Sequence, residues 1–148
     1  MPLTLRERAL RLLARREHAR AELARKLAAH AESAEELDAL LDDLSERRLL
    51  SDERYVEMRL NARSARYGNA RLGQELRSSG IGAELVDEAL ANVENELSRA
   101  RQVWQRKYGD SGAAADPAER ARQAGFLMRR GFSGETIRRV LRGGHEDD

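Results

Sequence analysis

Guanidinium groups spaced three and four residues apart are the most chemically pointed feature of this chain. Arg59, Arg63 and Arg66 fall on one side of a helix read over 52–66, Tyr67 and Gly68 form a corner, and Arg71 follows. An arginine fork pairs bidentately with phosphate or carboxylate, and an aromatic ring stacks on a base. A second stretch sets Arg129 and Arg130 before Gly131 and Phe132, then adds Arg138, Arg139 and Arg142. With Arg77, these side chains make a candidate surface for an anionic partner. Tyr67 belongs to that surface, whereas Phe132, which matches Ile81 in an internal repeat, reads as core.

Other reactive groups are scarce. The chain has no Cys, so it can form neither disulfides nor thiolate metal sites. His18, His30 and His145 lack metal-ligand spacing, and His18 with Glu22 reads as a solvated pair or a polar helix start. No Gly-rich loop runs into Lys and Ser/Thr, and no Ser sits in a nucleophile elbow. Asp42 and Asp43 belong to a helix whose acids face water. These residues describe a binder without cofactor or metal, not an enzyme.

Formal net charge is only +1, yet the charges are segregated. Residues 1–30 carry eight basic and three acidic groups, and 33–46 carry six acids and no base. Residues 59–77 hold five Arg against one Glu, and 117–142 seven Arg against two Glu. A GC-rich genome would enrich Arg everywhere; it does not explain separate basic and acidic stretches. Near-zero net charge argues against a dedicated high-affinity DNA binder. It fits a partner that displays both signs, such as a protein filament wrapped on nucleic acid.

The elements that must position these groups are helices. Thr4 with Glu7, Ser33 with Glu36 and Asp116 with Glu119 have capping-box spacing, and Pro117 suits a first helical position. Ser51 and Ser133 mark two further starts, and Gly68, Gly80, Gly109 and Gly131 read as stops. The resulting helices span about 5–16, 19–29, 33–47, 52–66, 69–78, 83–95, 97–108, 117–130 and 134–142. Residues 110–116 read as a loose connection.

Leu27, Leu76 and Leu127 each precede a small residue (Ala31, Gly80, Gly131) and an apolar pair: Leu37 and Leu41, Val86 and Leu90, Ile137 and Leu141. The offsets are 49 and 51 residues. We therefore expect an all-α fold of three tandem three-helix repeats at 1–50, 51–95 and 96–148, stacked into an elongated, curved array. No apolar run reaches membrane-spanning length and Met1–Arg6 lacks a signal-peptide pattern, so a soluble, cytoplasmic protein is expected. A monomer is expected because no coiled-coil seam persists.

Three stretches resemble the RecX family of regulators of the RecA recombinase. They are Arg15-Arg16-Glu17-His18 through Leu27, Leu49-Leu50-Ser51-Asp52-Glu53-Arg54-Tyr55 through Ile81, and Phe126-Leu127 through Leu141. The resemblance covers nearly the whole chain, with Ala19 standing where many members have Ser, which weakens that helix start. It implies a protein that binds the RecA–single-stranded-DNA filament in its groove or at its end. Such binding limits extension, ATPase, strand exchange and coprotease activity, and so bears on DNA repair and the SOS response. Direct contact with single- or double-stranded DNA would be weak. The alternatives are a stand-alone helical DNA-binding protein and a structural adaptor with protein partners only.

Overall fold

The structure is a computed structural model, which describes residues 1–109 and 116–143. Most of the 110–116 connection and His145 therefore lie outside the described residues. Among these residues every regular element is helical: α1 (Leu5–Arg15), α2 (Arg20–Leu27), α3 (Ala34–Glu46), α4 (Asp52–Arg63), α5 (Asn69–Ser78), α6 (Ala83–Asn92), α7 (Glu96–Tyr108), α8 (Pro117–Arg129) and α9 (Gly134–Leu141). The chain divides into two compact units. Residues 1–58 and 76–86 form the first, and 59–75 with 87–148 the second.

Local chemistry starts these helices. The Thr4 hydroxyl accepts from the Glu7 N–H at 3.0 Å while the Glu7 carboxylate accepts from the Thr4 N–H at 2.8 Å, completing a capping box. Ser33, Asp116 and Ser133 likewise accept from the N–H three residues on. Ala19 has no oxygen to offer α2, and Asp52 supplies one from a distance: its carboxylate accepts from the Arg20 N–H at 2.8 Å. The start weakened at Ala19 is thus completed by a tertiary contact.

Helix ends repeat more faithfully than helix starts. Gly80 and Gly131 both take left-handed backbone, with φ of 88° and 93°. Ile81 N–H then donates to Leu76 O at 3.1 Å and Phe132 N–H to Leu127 O at 3.2 Å, the same closing bond in two repeats. At the matching position Ala31 would bear a Cβ penalty in that conformation; it stays extended at φ −86°, and α2 instead runs out through a 3-10 turn at Ala28–His30. The α3 terminus adopts the glycine-type ending without a glycine, for Arg48 sits at φ 63°. Gly109 remains in right-handed backbone, so it is not a left-handed stop.

In the first unit Ala9, Leu23, Leu27, Leu40, Leu41, Leu44 and Leu50 form a buried cluster, with α2 packed on α1 and α3. In the second, α9 packs on α7 and α8 around Ala100, Val103, Leu127, Phe132, Ile137 and Val140. Phe132 is therefore core, as its match to Ile81 predicts. These clusters are mostly Leu, Val and Ala, each contributing about 25 cal/mol per Å² of apolar surface removed from water.

Candidate functional site

The cationic corner lies within the second unit and is built around Tyr67. Helix α4 ends at Arg63, three residues earlier than its spacing suggests, and residues 64–66 turn. Arg66 is therefore off the helix. The turn nevertheless brings the expected groups together: the guanidiniums of Arg71, Arg63, Arg130 and Arg66 lie 4.3, 4.4, 5.3 and 5.7 Å from the Tyr67 ring centroid. All are within the roughly 6 Å at which a ring quadrupole attracts a cation.

Two conditions hold the corner. Gly68 is not a helix stop but a point of close approach. Its N–H donates to Arg130 O at 2.7 Å, and a Cβ there would collide with the Gly131 carbonyl. Behind it, the fully buried Arg99 of α7 donates to Tyr67 O at 2.6 Å, Ser64 O at 3.0 Å, Glu94 O at 2.8 Å and the Asn69 side-chain oxygen. Glu96 adds its carboxylate as acceptor for the Asn69 N–H and the Thr136 hydroxyl, both at 2.8 Å. Burial lowers the Arg99 pKa from its usual value, and the nearby Glu96 and Glu94 oppose that shift.

One acid sits among the bases. The Glu75 carboxylate accepts both forks of Arg63, at 2.7 and 2.8 Å, and lies 3.4 Å from both Arg59 and Arg71. Burial pushes the Glu75 pKa up, but the Arg63 hydrogen bond and charge outweigh it and hold the carboxyl below its ordinary range. The Glu75 bond also raises the Arg63 pKa. Three guanidiniums thus meet the Glu75 carboxylate and four gather round the Tyr67 ring, with Arg63 and Arg71 in both sets. The corner is chemically able to bind polyvalent anions, and the ring and guanidinium planes can stack on flat groups.

Not every expected residue joins it. Arg129 enters through its carbonyl, which accepts from Arg71 Nη1 at 3.2 Å, while its guanidinium runs back along α8 toward Gly125. Arg138 and Arg139 lie on α9, with the Arg138 guanidinium back over Gly134. Arg77 ends α5 in the first unit. Sequence reasoning missed Glu75, Arg99 and Glu96 as parts of the corner. The four-residue spacing of Arg71 and Glu75 is a local signal for the first, and Arg99 shares a helical face with Val103.

His18 requires a correction. It does precede α2, yet it is buried, not solvated. Its Nδ1 lies 3.1 Å from Arg16 O and its Nε2 3.1 Å from Lys26 Nζ, so a neutral ring donates to the carbonyl and accepts from the ammonium. Burial lowers its pKa, which favours that neutral form. Among the described residues there is no group of three or more His or acidic side chains placed to hold a metal, and no helix long and apolar enough to cross a membrane.

Residues 51–90 match the model of the RecX second three-helix domain and residues 94–141 that of the RecX third three-helix domain. The chain is similar to the regulatory protein RecX of Leptothrix cholodnii, with 50% identity over 99% of this chain and 93% of the relative. Its counterparts in Chromobacterium violaceum and Ralstonia nicotianae are 42% and 47% identical over 98% and 96% of this chain, and 93% and 89% of the relatives. The crystal structure of RecX from Lactobacillus salivarius superposes with a TM-score of 0.81 at 16% identity, covering 93% of this chain and 92% of that one. The expected class, all-α with helical repeats, is therefore the observed one.

Proposed function

Because the chain belongs to the RecX family, we propose that it regulates the RecA recombinase by binding the RecA–single-stranded-DNA filament. Bound in the groove or at an end, it limits extension, ATPase, strand exchange and coprotease activity. The observation that carries the reading is the Tyr67 corner, where four guanidiniums surround a half-buried ring and a fifth, Arg59, joins two of them at the Glu75 carboxylate. Phosphates and acidic side chains of a nucleoprotein filament are the anions it suits.

On this reading the chain acts as a cytoplasmic monomer of three repeats, 1–50, 51–95 and 96–148. A filament repeats its contacts at every subunit, so several weak contacts sum through effective concentration. No catalytic step or cofactor is required: favouring a filament state that cannot grow or hydrolyse is enough.

The test is RecA ATPase on single-stranded DNA with this protein present below one copy per RecA protomer. Inhibition is expected, and charge reversal at the exposed Arg66 and Arg71 should raise the inhibitory concentration by about tenfold, as 1.4 kcal/mol of lost binding does. An unchanged inhibitory concentration, with helicity intact, would remove this face from the interaction. Absence of inhibition by the unaltered chain would remove the function. Tight, sequence-selective duplex binding at about 0.15 M salt would instead favour a stand-alone DNA binder.

A further inference from the structure

A second cationic surface lies in the first unit, and its chemistry differs from that of the Tyr67 corner. A cavity of about 270 Å³ opens beside α1 and α2 over an aliphatic floor of Leu3, Leu12 and Leu27. Arg8, Arg11 and Arg15 form its rim on α1, spaced three and four residues apart and so on one helical face, with Lys26 of α2 opposite. No acidic residue lines it.

The rim is poorly explained as a solvated helix face. Like charges at these spacings repel, and an ordinary surface helix intersperses acids among them. The nearby acid on α1, Glu7, is committed to the Thr4 N–H. Among the described residues, the guanidiniums of Arg8, Arg11 and Arg15 make no ion pair or hydrogen bond. That contrasts with Arg6, Arg16 and Arg20, each of which pairs with an acid.

The floor decides the occupant. Nucleobases favour aromatic platforms, as at Tyr67, and here the floor is leucine. A short aliphatic floor beneath a cationic rim suits one inserted apolar side chain flanked by acids. Arginines at three and four residues match acids at the same spacing on a helical peptide. We propose that this groove is a docking site for an acidic protein segment that seats one apolar anchor side chain on the partly exposed Leu3 and Leu12 while its carboxylates pair with Arg8, Arg11 and Arg15. The site is separate from the Tyr67 corner and does not depend on the function proposed for it.

The test uses the full chain and fluorescence anisotropy of a labelled peptide of about twelve residues, Glu and Ala with one central Leu, lengths typical of groove-bound segments. Saturable binding is expected, weakened about tenfold or more when the Leu is replaced by Ala, when Glu becomes Gln, or when the protein carries Arg11→Glu with Arg15→Glu. Both positions are exposed, and unchanged helicity and thermal midpoint confirm the fold. Oligo-dT binding should be unaffected by the two reversals. Equal binding of the Glu and Gln peptides would overturn the proposal. So would oligo-dT competing for the peptide and losing affinity in the same variant, which assigns the rim to nucleic acid. Self-association abolished by the same reversals, with no peptide binding, would assign it to a second copy and overturn the proposal too.

Discussion

Replacing Arg99 by Met tests the idea that one buried cation holds the Tyr67 corner. Arg99 is 1% exposed and donates to three backbone carbonyls and the Asn69 amide oxygen. Met keeps most of the apolar stem but strands these acceptors, at about 1–3 kcal/mol for each one left buried. Removing the charge also recovers its desolvation penalty, so the net loss should be about 3 kcal/mol, at the low end for a broken buried charge network. The sole tryptophan, Trp104, lies in the second unit and donates to Gln123 Oε1 at 2.8 Å, so its fluorescence reports unfolding there. With an m-value of about 1.5 kcal/mol per M, the urea midpoint should fall by about 2 M. Arg99→Lys, which can satisfy fewer acceptors from a single nitrogen, should fall between. On the function proposed above, RecA inhibition should weaken in the same order. A midpoint within about 0.3 M of the unaltered protein, below 0.5 kcal/mol by the same slope, would refute the buttress.

Three further outcomes follow from the same contacts. Arg16 lies 2.5 Å from Glu22; burial pushes the Glu22 carboxyl up, but the bond and charge of Arg16, with His18 and Lys26, bring it to about 2 from 4.5. A carboxyl depressed in the folded state stabilises above its unfolded pKa and loses that contribution as pH falls through the folded one. Glu22 should therefore contribute about 1–2 kcal/mol at neutral pH, discounted for the half-exposed Arg16. That contribution disappears between pH 4.5 and about 2, and Glu22→Gln should flatten this limb in acid titrations followed by circular dichroism. Arg48→Gly should raise the thermal stability by about 1 kcal/mol, because φ of 63° costs a side-chain-bearing residue what glycine avoids. Glu75→Gln removes the carboxylate shared by Arg59, Arg63 and Arg71, and should tighten oligo-dT binding about threefold and steepen its salt dependence. Weaker binding would mean that Glu75 serves to position the guanidiniums.

Helix placement was legible because its causes are local. Caps at Thr4, Ser33, Asp116 and Ser133, and the positive φ of Gly80 and Gly131, act within about five residues, so their signals lie side by side along the chain. The repeated leucines at 27, 76 and 127, all buried, announced the helical repeat for the same reason. The arginine stripe was legible as a set of residue types. Its arrangement was not.

Tertiary structure alone decided which arginines converge. Glu75 meets Arg63 across 12 residues, Arg130 reaches the Arg66 carbonyl across 64, and Arg99 grips the Tyr67 carbonyl across 32. Gly68 could be recognised as a contact glycine only once Gly131 lay against it. Such contacts depend on how helices pack, and packing is set by shape and buried area summed over many residues, which no short window of sequence contains. Residue type told this chain what it could bind; the packed helices chose which of those groups share one surface.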